Sequence, residues 1–147
     1  MLGNLVLMFA VGLAGDMPVE EKKAAEAKAE APQEAGLDLT RTEALMLEQT
    51  NAQRVQRGLK PLVIDPTLVE SARQHANWMA STRNMRHTTK PVGENIAMGQ
   101  TSVPQVINTW MNSSGHRANI LGGWNRIGAA AYTTPEGRIY WCLQFLR

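Results

Sequence analysis

The end of the chain limits its fold more than any other stretch. Residues 126–147 read "RIGAAAYTTPEGRIYWCLQFLR". Two β-capable runs, 126–132 and 138–146, flank "TTPEG", and Pro-Glu-Gly is turn chemistry. The pattern predicts an antiparallel hairpin. In its second run Ile139, Trp141, Leu143 and Phe145 alternate to one side and are predicted to face the core. An isolated two-stranded ribbon is marginal in water, so the rest of the chain must cover it.

The rest reads as helices. "LTRTEALMLEQTNAQRVQRG", 39–58, opens with Thr40 or Thr42 as an N-cap and stops at Gly58. "DPTLVESARQHANWMAS", 65–81, starts with Asp at a cap position and Pro at the first helical position. Leu68, Val69, Ala72, His75, Ala76 and Met79 share one face of it. "SVPQVINTWMNSS", 102–114, carries a stripe of Val103, Val106, Ile107, Trp110 and Met111, and Gly115 is expected to end it. Helices first and a hairpin last predict an α+β domain.

The 147 residues suit one domain, and 44% apolar content is enough for a core. Charge is uneven. Residues 1–36 carry three Lys and six acidic groups, net −3, against +5 for residues 37–147. The basic residues do not gather into a run, so they read as solvated surface, and nucleic acid is not an expected partner. The single cysteine, Cys142, excludes an internal disulfide and a CxxC zinc pattern, and it reads as a buried, inert thiol.

Residues 1–18 resemble a secretory signal. "LVLMFAVGLAG", 5–15, is apolar, too short to span a bilayer and followed by small residues, although "MLGN" lacks the usual cationic start. Residues 19–38, rich in Ala, Glu and Lys with no large apolar side chain before Leu37, read as a solvated linker. The folded domain is expected over 39–147. These features predict an extracytoplasmic or secreted, monomeric protein without a transmembrane helix in its mature chain.

Chemistry concentrates in three places: His87 in "NMRHTTK", Glu94 in "VGENIAMG", and Ser113 with His116 in "WMNSSGHRANIL". Two histidines and a carboxylate could form a His₂Glu metal site with an open position, or a general base with an orienting partner. They could equally be a polar cluster tying loops together. Spacing does not choose among these, since His87 and His116 lie 29 residues apart with no single helix to fix both. Ser113 and His116 invite a hydrolase reading, but no GxSxG elbow supports it. His75, on an apolar helix face, reads as a packed histidine. Trp78, Trp110, Trp124 and Trp141 read as core or cleft wall, and Asn95 as bonding loop backbone.

An ordered set of motifs goes further. "NAQRVQRGLKPLVIDPTL", "SARQHANWMA", "RHTT", "GENIAMG", "VINTWMNSSGHRANIL", "IGAAA" and "IYWCLQF" together resemble the bacterial branch of the CAP superfamily, or SCP domain, over residues 41–147. The resemblance implies an α-β-α sandwich with helices on both sides of a small antiparallel sheet. It also implies a cleft lined by His87, Glu94 and His116. The family's second acidic position falls on Ser113, so here a hydroxyl replaces a carboxylate. The turn after the third helix, eased by Gly115, is expected to project His116 into this cleft.

The expected role is therefore an exported binding module. Its His/Glu-lined cleft would hold Zn²⁺ or another divalent cation through His87 and His116, with Glu94, or a small ligand without any cofactor. A lipid, a cell-wall component and a protein all remain open as the ligand. Enzyme function is the minority expectation. The alternatives are a metal-dependent or Ser/His hydrolase, and an envelope scaffold whose cleft is vestigial.

Overall fold

The computed structural model describes residues 37–147. The signal-like segment and all but the last residues of the linker lie outside the described residues. The folded unit, 38–147, contains helices α1 (Arg41–Val55), α2 (Pro66–Thr82), α3 (Val103–Met111) and α4 (Ser114–Ile120). Its strands are β1 (Val63–Ile64), β2 (Gly93–Met98), β3 (Arg126–Thr133) and β4 (Ile139–Leu146).

The capping signals correspond to real helix starts. Thr40 caps α1 in a reciprocal box with Glu43, and the Asp65 side chain accepts from the Thr67 and Leu68 amides ahead of α2. Ser102 caps α3. The hairpin forms as expected, with Tyr132 opposite Tyr140 and Arg126 opposite Leu146.

The sheet order is β1-β3-β4-β2. It is mixed rather than purely antiparallel, because the two-residue β1 runs parallel to β3. Neither β1 nor β2 had declared itself as a strand. Both faces of β4 are buried, not only the predicted one. Trp141, Leu143 and Phe145 pack with Met46, Leu47, Val106, Ile107 and Trp110 of α1 and α3. Tyr140 and Cys142 pack against Ala72, Ala76, Met79 and Ala80 of α2. Helices therefore cover both sides, and the expected three layers are present.

Small residues set the spacing on the α2 side. A Cβ on Gly128 would lie 2.2 Å from the Leu68 carbonyl carbon and 2.4 Å from the Val69 nitrogen. Only a residue without a side chain lets this helix backbone approach the strand so closely. Two arginines tie the layers at their margins. Arg73 grips Glu43 with both forks at 2.7 Å, linking α2 to α1. Arg54, 4% exposed, donates to the carbonyls of Lys60, Ile120 and Gly122, pinning the end of α4 to α1.

The chain breaks after α3 at Asn112–Ser113, not at Gly115. Ser113 is extended (φ −103°, ψ 123°) and Gly115 lies inside α4 without a positive φ. His116 is thus held in the first turn of a short helix rather than on a loop.

Candidate functional site

The site lies along β2, an edge strand of the sheet. Alternation turns Glu94 to the α2 face and Asn95 to the α4 face. Residues reaching β2 from both sides therefore meet at this edge.

Glu94 is the hub. Its side chain is only 3% exposed, and a carboxylate so buried must be surrounded by donors. Oε1 accepts from His87 Nδ1 at 2.8 Å and from the Thr88 amide at 2.9 Å. Oε2 accepts from Gln144 Nε2 at 2.9 Å and faces the Cys142 thiol at 3.7 Å. Strand pairing delivers Gln144, which sits opposite Glu94 in the β2–β4 register. With Nε2 committed to Glu94, Gln144 Oε1 is sealed without a partner. Burial, and then the Glu94 charge, push the Cys142 thiol well above its ordinary range. It stays protonated, in line with an inert buried cysteine.

His87 stands on the loop before β2 with its side chain 61% exposed. Its Nδ1 faces an acceptor-only carboxylate, so Nδ1 carries a proton, and in the neutral ring the lone pair is left on Nε2. His116 reaches the same edge from α4. Its Nδ1 is 3.0 Å from Ser113 Oγ, and its carbonyl accepts from Asn95 Nδ2 at 2.9 Å. Asn119 Nδ2 bridges the Glu94 carbonyl and Asn95 Oδ1, locking α4 to β2. Burial first, and then the charge of neighbouring His87, lower the pKa of His116. Its imidazole is therefore neutral at neutral pH and able to ligate. Arg117 reaches the Met111 carbonyl at 3.4 Å.

His75 packs as expected, but it also belongs to this neighbourhood. Its Nε2 lies 2.8 Å from the Arg86 carbonyl, so that nitrogen carries a proton, and 3.7 Å from Glu94 Oε2. It thereby fixes the residue before His87. Its ring stacks on Trp78 at 5.6 Å, and the Arg86 guanidinium sits 5.8 Å from that indole. Trp78 is accordingly a wall residue, while Trp110 and Trp141 are core. His75, Trp78, Arg86, His87, Thr88 and Thr89 line an open hollow of ≈ 290 Å³. A larger, mostly apolar hollow of ≈ 640 Å³ is walled by other residues, including Leu68, Pro91 and Leu146.

Sequence reasoning overlooked His75, Thr88 and Gln144 as members of this cluster. Gln144 alone left a trace, as a polar residue inside an apolar strand. Among the described residues, no three His, Cys, Asp or Glu side chains are grouped to hold a metal ion. None of their helices is long and apolar enough to cross a membrane.

The model of the cysteine-rich secretory protein family, CAP, matches residues 47–145. YkwD, an uncharacterized protein of Bacillus subtilis, is 37% identical over 119 residues, covering 69% of this chain and 45% of that protein. The B. subtilis membrane protein YlbC is 30% identical over 99 residues, covering 56% of this chain and 29% of its own length. The chain thus spans less than half the length of these curated relatives. An outer surface protein of Borrelia burgdorferi superposes with a TM-score of 0.66 at 22% identity, covering 76% of this chain and 96% of that one. An extracellular SCP-domain protein of Bacillus anthracis gives 0.65 at 21%, covering 76% and 45%. Family model, relatives and fold agree with the motifs that surround Glu94 and His116: the chain belongs to the cysteine-rich secretory protein family, CAP, in its bacterial branch.

Proposed function

We propose that this protein is an exported binding module whose two cleft histidines, His87 and His116, take a divalent transition-metal cation such as Zn²⁺. The observation that carries this reading is the 2.8 Å bond from His87 Nδ1 to Glu94 Oε1. A carboxylate behind an imidazole fixes its tautomer, raises its basicity and aims the other nitrogen outward. Two neutral imidazoles suit Zn²⁺, and water would complete the coordination. Glu94 would act through His87 and not as a ligand itself, because both its oxygens are already engaged. A cation there would supply a Lewis-acidic position for an oxygen or nitrogen donor of the ligand. Export is supported by the signal-like segment 5–15 and by the outer-surface and extracellular relatives of the fold.

A Ser/His hydrolase is less well supported. Ser113 pairs with His116, whereas the buried carboxylate orients His87. The nucleophile, base and orienting acid are split between two histidines.

The test is a calorimetric titration of Zn²⁺ into the full chain, wild type beside His87→Ala/His116→Ala. Saturable binding that disappears in the double variant supports the proposal. A folded wild type that takes up no zinc refutes it, and points to a polar cluster beside which a lipid, a wall fragment or a protein partner binds without metal.

A further inference from the structure

A second cluster of polar side chains lies where the tip of the β3–β4 hairpin meets the end of α2. Arg83, Thr134, Glu136, Arg138 and Tyr140 line a hollow of ≈ 310 Å³ there. None of them takes part in the histidine site.

Tyr140 supplies the first argument. The residue is 1% exposed, packed among the α2 alanines, and its hydroxyl has no hydrogen-bond partner among the described residues. It is not among the sealed orphans, which are Thr50 Oγ1, Gln100 Oε1 and Gln144 Oε1. Tyr140 nonetheless contributes to the wall of the hollow. A hydroxyl removed from bulk water and left unpaired is costly, so a group entering the hollow has a donor waiting for it.

Charge supplies the second. Arg83 pairs with Glu136 at 3.2 Å, but both side chains are well exposed (76% and 63%), and such pairs are weak. Arg138 has no carboxylate partner among the described residues; its Nη1 reaches only Met98 Sδ at 3.8 Å. Two guanidiniums and one carboxylate leave the hollow a net positive charge. The C-terminal end of α2 adds a partial negative charge, which a full guanidinium outweighs.

Rigidity supplies the third. The turn is closed by Thr134 N to Arg138 O at 2.8 Å, Gly137 N to Thr134 O at 2.9 Å and Arg138 N to Thr134 Oγ1 at 3.2 Å. Arg83 holds a left-handed backbone (φ 53°), uncommon for a residue with a side chain, in ending α2. The backbones that present both arginines are thus fixed.

We propose that Arg83, Arg138 and the Tyr140 hydroxyl form an oxyanion site, independent of the histidine cleft, for the carboxylate or phosphate group of a larger ligand. Guanidinium forks and a phenol O–H match the acceptor oxygens of such a group. Glu136 acts as a built-in competitor that an incoming anion displaces from Arg83.

The test is a titration of the ¹⁵N-labelled full chain with inorganic phosphate and, separately, with acetate, at constant ionic strength set with NaCl. The expected result is saturable shifts of the Thr134–Arg138 amides and of the arginine Nε–H signals. Arg138→Gln and Tyr140→Phe should each weaken binding by about fivefold or more, and Glu136→Gln should tighten it. Saturation by phosphate alone assigns a phosphate ligand, saturation by acetate alone a carboxylate, and saturation by both a site that takes either oxyanion. Shifts that stay linear with both anions overturn the proposal. So does Tyr140→Phe binding as well as wild type, since it keeps the buried ring and removes only the hydroxyl.

Discussion

Removing the Glu94 carboxylate should have two very different costs, depending on what replaces it. Glu94→Ala strands the Thr88 amide and Gln144 Nε2, both now donating to it. Each lost partner of a buried donor costs ~1–3 kcal/mol, so the sum is ~4 kcal/mol before any cavity term. His87 adds little, because its ring is largely in water and can turn to solvent. Glu94→Gln is another matter. Its oxygen can keep His87 Nδ1 and Thr88 N–H, while its new amide group faces Gln144. Gln144 can then flip, offering the Oε1 that is sealed without a partner in the wild type. What remains is the weakening of charge-assisted bonds to neutral ones, ~1–2 kcal/mol. Urea unfolding followed by tryptophan fluorescence measures both variants. The reasoning fails if Glu94→Gln costs as much as Glu94→Ala, or if Glu94→Ala stays within about 1 kcal/mol of wild type.

Three further results are expected. Gly128→Ala drives a Cβ into the Leu68–Val69 backbone, where no rotamer offers relief, and should cost ~3 kcal/mol or more in the same assay. Arg54→Met leaves three carbonyl groups without their donor, those of Ile120 and Gly122 at the end of α4 and that of Lys60 after α1, and should cost ~3 kcal/mol and weaken zinc binding through the loosened His116. Acidification should also act through His116. Its folded pKa lies below the ordinary 6.5, from burial first and His87 second, so the unfolded chain takes up that proton first. Its contribution to stability is full above about pH 6.5 and is lost as the pH falls towards the lower folded value. Between about pH 7.5 and 5.5 the urea midpoint should therefore fall less in His116→Asn than in wild type. Glu43 and Asp65 do not intrude on this window. Burial raises their pKa values, but bonds from arginine and backbone N–H more than reverse it, leaving them below 4.5 and 3.8.

Local chemistry was legible in the chain and long-range register was not. Thr40, Asp65 and the Pro-Glu-Gly turn act on residues within a few positions, so their signals survive in a linear reading. The pairing of Glu94 with Gln144 joins residues 50 apart, and no local pattern sets it. His75 shows the same limit from the other side. Its helical spacing correctly predicted a packed face, but packing on α2 also means facing β2, which put the ring beside Glu94. Gly115 misled because glycine so often ends a helix. Here the extended backbone at Ser113 had already ended α3.

The most direct test of the account is the tautomer of His87, read at neutral pH from long-range ¹H–¹⁵N correlations of the imidazole rings in the metal-free chain. The account predicts that the neutral ring is protonated at Nδ1, against Glu94, and bare at Nε2, with that tautomer preference lost in Glu94→Ala. A neutral ring protonated at Nε2, or one averaging between tautomers as it does in water, would contradict it.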